Sequence, residues 1–93
     1  MTRTPLFRLG TLTATPGALA ALVQGGQSPA DFLTRHVSGD WGDMCSEDRR
    51  LNNQALRQGT RLLSASSTTN GVKLWIITEA DRSATTILLP GEY

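Results

Sequence analysis

The chain has 93 residues, of which nine are basic and eight acidic, and its formal net charge is +1. This length has room for one modest core, so we predict a single α+β domain over residues 1–93. The near-neutral charge and the dispersed basic residues make a nucleic acid a less favoured partner than a protein, and no acidic run indicates a DNA mimic.

Cys45 is the only cysteine, which excludes an internal disulfide and a multi-cysteine metal site. The glycine-containing loops lack the lysine and the preceding strand of a phosphate-binding loop, and one histidine with two aspartates is too small a set for a metal site. We therefore predict no metal and no cofactor. A lone cysteine is typical of a reducing compartment, and neither a signal peptide nor a transmembrane run is visible. We therefore expect a cytoplasmic protein without a membrane segment.

Two short helices are predicted from their start signals, after an optional edge strand over residues 6–13. Thr15 as N-cap and Pro16 at the first helical position begin one helix, which reaches Gln24 and ends at the following glycine pair. Ser28 and Asp31 form a capping pattern around Pro29, and this second helix runs to His36 or Val37. The helix dipole favours the protonated form of a histidine in that last turn.

A third helix should follow the glycine-punctuated loop over residues 38–43. Asp43 or Ser46 is the predicted N-cap, and Gly59 has the residue type that commonly follows a helix end. Apolar residues at helical spacing predict a buried stripe made by Leu51, Ala55 and Leu56.

The last third of the chain predicts an antiparallel meander. Strand-like runs over residues 61–67, 72–79 and 84–89 are separated by Asn70-Gly71 and by the turn over residues 80–83. Apolar residues on both faces of the middle run place it inside the sheet. The predicted fold is α+β, with about three short N-terminal helices packed on a C-terminal three- to four-stranded antiparallel meander.

The loop after the second helix is the first candidate site, because it joins the only histidine to two carboxylates and a tryptophan. In a functional interpretation, His36 is an acid/base or a ligand that Asp40 or Asp43 orients. In a structural interpretation, the aspartates form turns and a helix cap, and Trp41 fills the layer between helices and sheet.

The turn over residues 78–83 is the second candidate site. Glu79, Asp81 and Arg82 could hold a phosphate or take part in acid/base chemistry at the sheet rim. The alternative is a hairpin turn in which Asp81 accepts a local backbone bond and Arg82 pairs with Glu79.

Both candidates together would resemble the active site of a small metal-independent ribonuclease. His36, Glu79 and Arg82 would then be the catalytic candidates, with one group taking the 2′-hydroxyl proton and the cation stabilising the phosphorane. The balanced charge counts against this interpretation, because such enzymes must hold a polyanion.

Three segments of the chain resemble a family of small bacterial proteins that are labelled plasmid-related and are carried on mobile elements. They are residues 15–19, residues 36–43 and the run from Trp75 to Pro90. The resemblance implies a mobile-element accessory protein, and proteins of that kind often bind host machinery such as restriction or CRISPR nucleases. It implies no catalytic residues.

Three functions remain open, and the residues do not decide whether the protein is an enzyme. The first is a protein-binding module, including an inhibitor of a host defence nuclease, which uses a sheet edge, exposed arginines or the loop over residues 39–43. The second is the ribonuclease-like enzyme, and the third is a homodimer without chemistry that buries a Trp75 or Leu88 face. The predicted binding residues are Asp40, Trp41, Asp43, Asp81 and Arg82.

Overall fold

The protein is an α+β domain, and the computed structural model describes residues 5–93. In chain order the elements are β1 (Thr11–Ala14), α1 (Pro16–Gln24), α2 (Pro29–Val37), α3 (Ser46–Gln58), β2 (Leu62–Ser67), β3 (Lys73–Thr78), β4 (Ala84–Leu88) and a 3₁₀ turn, Pro90–Glu92. No helix within residues 5–93 combines the length and apolar character of a membrane span.

The first two helices begin where their local signals predict. The Thr15 hydroxyl accepts a hydrogen bond from the Ala18 N–H at 3.2 Å, and Pro16 opens α1. At α2, the Asp31 carboxylate accepts from the Ser28 N–H at 2.9 Å. These caps satisfy N–H groups that have no partner inside the helix, which fixes both start points.

The start and the buried face of α3 differ from the prediction. Its N-cap is Cys45 and not Asp43 or Ser46, and Leu51 is 48% exposed. Ala55 is buried as predicted and Leu56 packs partly buried against the same cluster, but Asn52 faces inward in place of Leu51. The reason is that the Asn52 amide pairs with the backbone of Leu63, which rotates α3 so that a polar residue points at the edge of β2.

The sheet is mixed, with the strand order β1-β4-β3-β2. The last three strands form the predicted antiparallel meander, but β1 pairs with β4 in parallel, so a purely antiparallel sheet was wrong. The expected strand over residues 6–13 begins only at Thr11. Gly10 has a φ of +67°, and a Cβ there would overlap the Ser83 carbonyl, so the chain turns at Gly10 to reach β4.

All three helices pack on one face of the sheet. The main core joins α1 and α2 to Leu74, Ile76 and Ile87. A second cluster joins α3 to Leu62 through Trp41. Paired residues of neighbouring strands lie on the same face, so these contacts define a covered face. Within residues 5–93, no helix contributes to a core cluster on the opposite face, which we call the open face.

Candidate functional site

His36 lies in the last turn of α2 with none of its surface exposed. Its Nδ1 contacts the Ser64 hydroxyl, and its Nε2 lies 2.9 Å from the Thr78 hydroxyl. The ring is thus held between β2 and β3 on the covered face, and both of its nitrogens have protein partners.

Only one assignment of donors and acceptors satisfies all of the hydrogen bonds around a neutral His36. The Thr85 hydroxyl donates to the Leu9 carbonyl at 2.7 Å, and Thr78 and Thr85 lie 2.7 Å apart through their hydroxyls. Each threonine has one proton, so Thr78 donates to Thr85 and accepts from His36 Nε2–H. His36 Nδ1 then accepts from Ser64. The network assigns the neutral Nε2–H tautomer.

Burial, together with a smaller contribution from the nearby charge of Arg82, lowers the pKa of His36 from its ordinary 6.5 to about 4. The sequence-based expectation that the helix dipole favours the protonated form is therefore wrong. Desolvation outweighs the dipole because the ring is enclosed and its second nitrogen accepts a bond.

Two aromatic rings close the remaining sides of His36. Phe7 and Trp41 meet it edge-on, with ring centroids 5.3 Å and 5.6 Å away, and they stack on each other at 6.3 Å. Trp41 is 3% exposed and donates its Nε1–H to Asn53 at 3.0 Å. No open path from solvent leads to the imidazole through this wall, so an RNA 2′-hydroxyl cannot reach it in this conformation.

Arg82 binds backbone carbonyls and joins two elements. Its guanidinium donates to Thr60 O at 2.7 Å, to Ala55 O at 3.3 Å and to Glu79 and Ala80 O at 3.1 Å each. It also lies 5.7 Å from the centroid of the Phe7 ring. The guanidinium therefore connects the carboxyl end of α3 to the β3–β4 turn. A cation is favourable at the carboxyl end of a helix.

The remaining charges of this turn stay at the surface. Asp81 accepts the Ser83 N–H at 3.0 Å, and the Ser83 hydroxyl and N–H lower the pKa of that carboxyl. Glu79 is exposed. The structure thus brings both His36 and Arg82 against Phe7, while Glu79 and Asp81 are exposed. Within residues 5–93, no shared open cleft holds His36, Glu79 and Arg82.

The loop over residues 40–43 closes the edge of β2. The Asp43 N–H donates to Ala65 O at 2.6 Å, and the Ala65 N–H donates to Trp41 O at 3.1 Å. Asp40 accepts from Arg35 Nε at 3.0 Å and from the Gly42 N–H at 3.2 Å, which fixes the bend. Together with the Asn52–Leu63 pair, these bonds occupy the outward backbone groups of Leu63 and Ala65, the two central outward positions of β2.

The opposite edge of the sheet is β1, and no strand within residues 5–93 pairs with its outer side. The N–H groups of Thr11 and Thr15 donate to β4 carbonyls at 2.9 Å and 3.0 Å. Backbone groups alternate along a strand, so the N–H and C=O of Leu12 and Ala14 point away from β4. Leu12 is 53% exposed.

Two concave surfaces meet at β1. A cavity of about 330 Å³ lies between β1 and the helices and is lined by Leu12, Ala14, Leu19, Pro29, Leu33 and Ile87 among others. An open groove of about 850 Å³ lies at the other end of the strand, between Arg8 and Asp81. Sequence reasoning named a sheet edge in general terms but missed Leu12, because its exposure depends on the pairing of β1 with β4.

Within residues 5–93 there is no group of three metal-ligating side chains. In the same part of the chain, every buried polar side-chain atom has a hydrogen-bond partner. Comparison with protein-family models, with curated proteins and with solved structures finds no match to this chain.

Proposed function

We propose that this protein is a protein-binding module that captures an extended segment of its partner by strand addition to β1. The observation that carries the proposal is the difference between the two sheet edges. The Trp41–Asp43 backbone and the Asn52 side chain bind the edge of β2, whereas no strand within residues 5–93 pairs with the outward groups of Leu12 and Ala14.

The composition of β1 supports this function. Its sequence, Thr-Leu-Thr-Ala, contains no charge and no proline, which are the usual devices that protect a sheet edge from pairing. An added strand would gain main-chain hydrogen bonds to Leu12 and Ala14, the source of affinity in this binding mode.

The cavity beside β1 supplies a basis for specificity. Side chains alternate across an added strand, so every second residue of the partner would point toward the helices. Leu12, Leu19 and Pro29 border the space they would enter. We expect the partner segment to carry an aliphatic residue at that position.

The ribonuclease-like alternative has less support from the geometry. The ring nitrogens of His36 are both engaged, and the Arg82 guanidinium is bound to carbonyls. The plasmid-related resemblance adds host restriction and CRISPR nucleases as a proposed partner class, and inhibition of such a nuclease would follow from binding.

Selection from a displayed library of random peptides tests the binding mode. We expect the selected peptides to be extended and to alternate apolar with other residues, and Leu12→Pro to reduce their affinity at least about tenfold, because it removes an outward N–H. Leu51→Lys is the matched control, since Leu51 is 48% exposed on α3, which contacts β2 at the opposite edge of the sheet. Selected peptides that bind both variants equally would contradict strand addition at β1.

A further inference from the structure

The two faces of the sheet have an unusual distribution of polarity. The covered face buries hydroxyl groups of Ser64, Thr78 and Thr85 beneath the helices. A sheet with one solvated face ordinarily alternates apolar residues inward with polar residues outward. In this sheet, the residues on the open face are at least as apolar as those on the covered face.

The centre of the open face is apolar across three strands. Register places Ala65 beside Trp75 and Trp75 beside Leu88, and it pairs Ile77 with Leu63 and with Thr86. Trp75 is half-buried, and Tyr93, which is 64% exposed, meets its ring at 5.9 Å. Ala65, Ile77 and Leu88 are themselves no more than 6% exposed, and the 3₁₀ turn Pro90–Glu92 contacts β3, so Leu63, Trp75 and Tyr93 make the accessible apolar surface of this face. Accessible aromatic side chains are enriched in interfaces.

The charges of the open face lie at its two ends. Lys73 is at one end of β3, next to Ser67, whose hydroxyl lies 3.5 Å from the Asp43 carboxylate. Alternation places Glu79 on this face at the other end, with Arg61 in the position opposite it on the neighbouring strand. Each end therefore carries one positive and one negative side chain. The Arg61 guanidinium also donates to the Tyr93 hydroxyl and lies 5.2 Å from the centroid of that ring, so Lys73 and Glu79 are the two charges that carry the argument.

We infer that the open face is the interface of a homodimer, in which two sheets pack face to face about a two-fold axis that crosses the strands. Such an axis lays β3 of one copy antiparallel over β3 of the other. Lys73 then lies over Glu79 of the second copy, and Asp43 lies over Arg61. The face is thus complementary to itself in charge, as a two-fold interface requires.

This interface is separate from the edge of β1 and does not depend on the proposed strand addition. Face-to-face packing leaves the outward backbone groups of Leu12 and Ala14 accessible, since they lie in the plane of the sheet. The dimer would bury Trp75, Leu63 and Tyr93 while the β1 edge remains available to a different protein.

Sedimentation equilibrium of the full chain over a range of concentrations tests the dimer. Lys73→Glu and Glu79→Lys each place like charges opposite each other twice per dimer, and we expect each to weaken dimerisation at least about tenfold. The double variant exchanges the two charges, so its dissociation constant should return to near the wild-type value. Both residues are exposed, and unchanged far-ultraviolet circular dichroism spectra confirm that the fold survives, whereas the melting temperature would itself change with dimerisation.

Three results would overturn the inference. The first is a wild-type protein that stays monomeric at several hundred micromolar, and the second is a dimer that neither single reversal weakens. The third is a dimer that the double variant fails to restore. Loss of the dimer in Leu12→Pro with no response to the charge variants would instead assign self-association to the β1 edge.

Discussion

At the scale of single residues, His36 has a structural role as the centre of a hydrogen-bonded network. The network joins α2 to three strands and ends at the Leu9 carbonyl. A fully satisfied buried network of this kind favours one packing arrangement, whereas a partly satisfied one is costly. The sequence predicted that His36 lies in the last helical turn. It did not predict that His36 is buried, because Ser64 and Thr78 have the residue types of surface positions in a strand.

The depressed pKa of His36 makes stability depend on pH in a defined direction. Between the folded pKa of about 4 and the unfolded value of 6.5, the unfolded chain binds the additional proton. The contribution of neutral His36 to the free energy of unfolding is therefore fully present above pH 6.5, and it falls by up to about 3 kcal/mol as the pH is lowered toward 4. Urea unfolding at a series of pH values measures this loss.

His36→Gln is the control for the pH series, because the chain has no other histidine. The variant should be less stable at pH 7 but nearly independent of pH between 5 and 7. If the wild-type protein keeps its stability unchanged across that interval, the assignment of a buried neutral imidazole is wrong.

At the scale of elements, the sequence predicts structure that depends on neighbouring residues better than structure that depends on distant residues. Thr15 and Ser28 mark helix starts through bonds to residues three positions away, so α1 and α2 could be predicted. The parallel pairing of β1 depends on the approach of Gly10 to Ser83, which no local pattern encodes. The buried face of α3 was predicted correctly at Ala55 but wrongly at Leu51, since apolarity favoured Leu51 while Asn52 bonds to β2.

The close contact between Gly10 and Ser83 can be tested by a substitution at Gly10. Gly10 and Gly26 both have a φ of +67°, but only Gly10 is in contact with another strand. Replacing either by alanine adds strain of about 1 kcal/mol from the left-handed backbone. We expect Gly10→Ala to cost about 1–3 kcal/mol more than Gly26→Ala, because its Cβ overlaps the Ser83 carbonyl.

Thermal or urea unfolding of the two glycine variants gives the comparison directly. An equal loss of stability would mean that β1 does not lie against β4 as described. The proposed docking edge would then lack its support, because the orientation of Leu12 and Ala14 follows from that pairing.

At the scale of the whole molecule, the fold separates the interior from two surfaces. The candidate catalytic residues His36 and Arg82 are bound to protein groups, and the closed edge at β2 uses the loop that the sequence indicated as a site. Within residues 5–93, what remains accessible is the edge of β1 and, on the open face, the side chains of Leu63, Trp75 and Tyr93. Sequence reasoning named an edge strand over residues 6–13 and a Trp75 or Leu88 face, but only the sheet order shows how each of them is placed.

The most direct test of strand addition is amide hydrogen exchange at Leu12 and Ala14, measured with and without a peptide selected for binding. The account predicts fast exchange of both amides in the free protein and strong protection in the complex, while the amides of α3 change little. A peptide that binds tightly and leaves Leu12 and Ala14 exchanging at their free rates would contradict the proposed function.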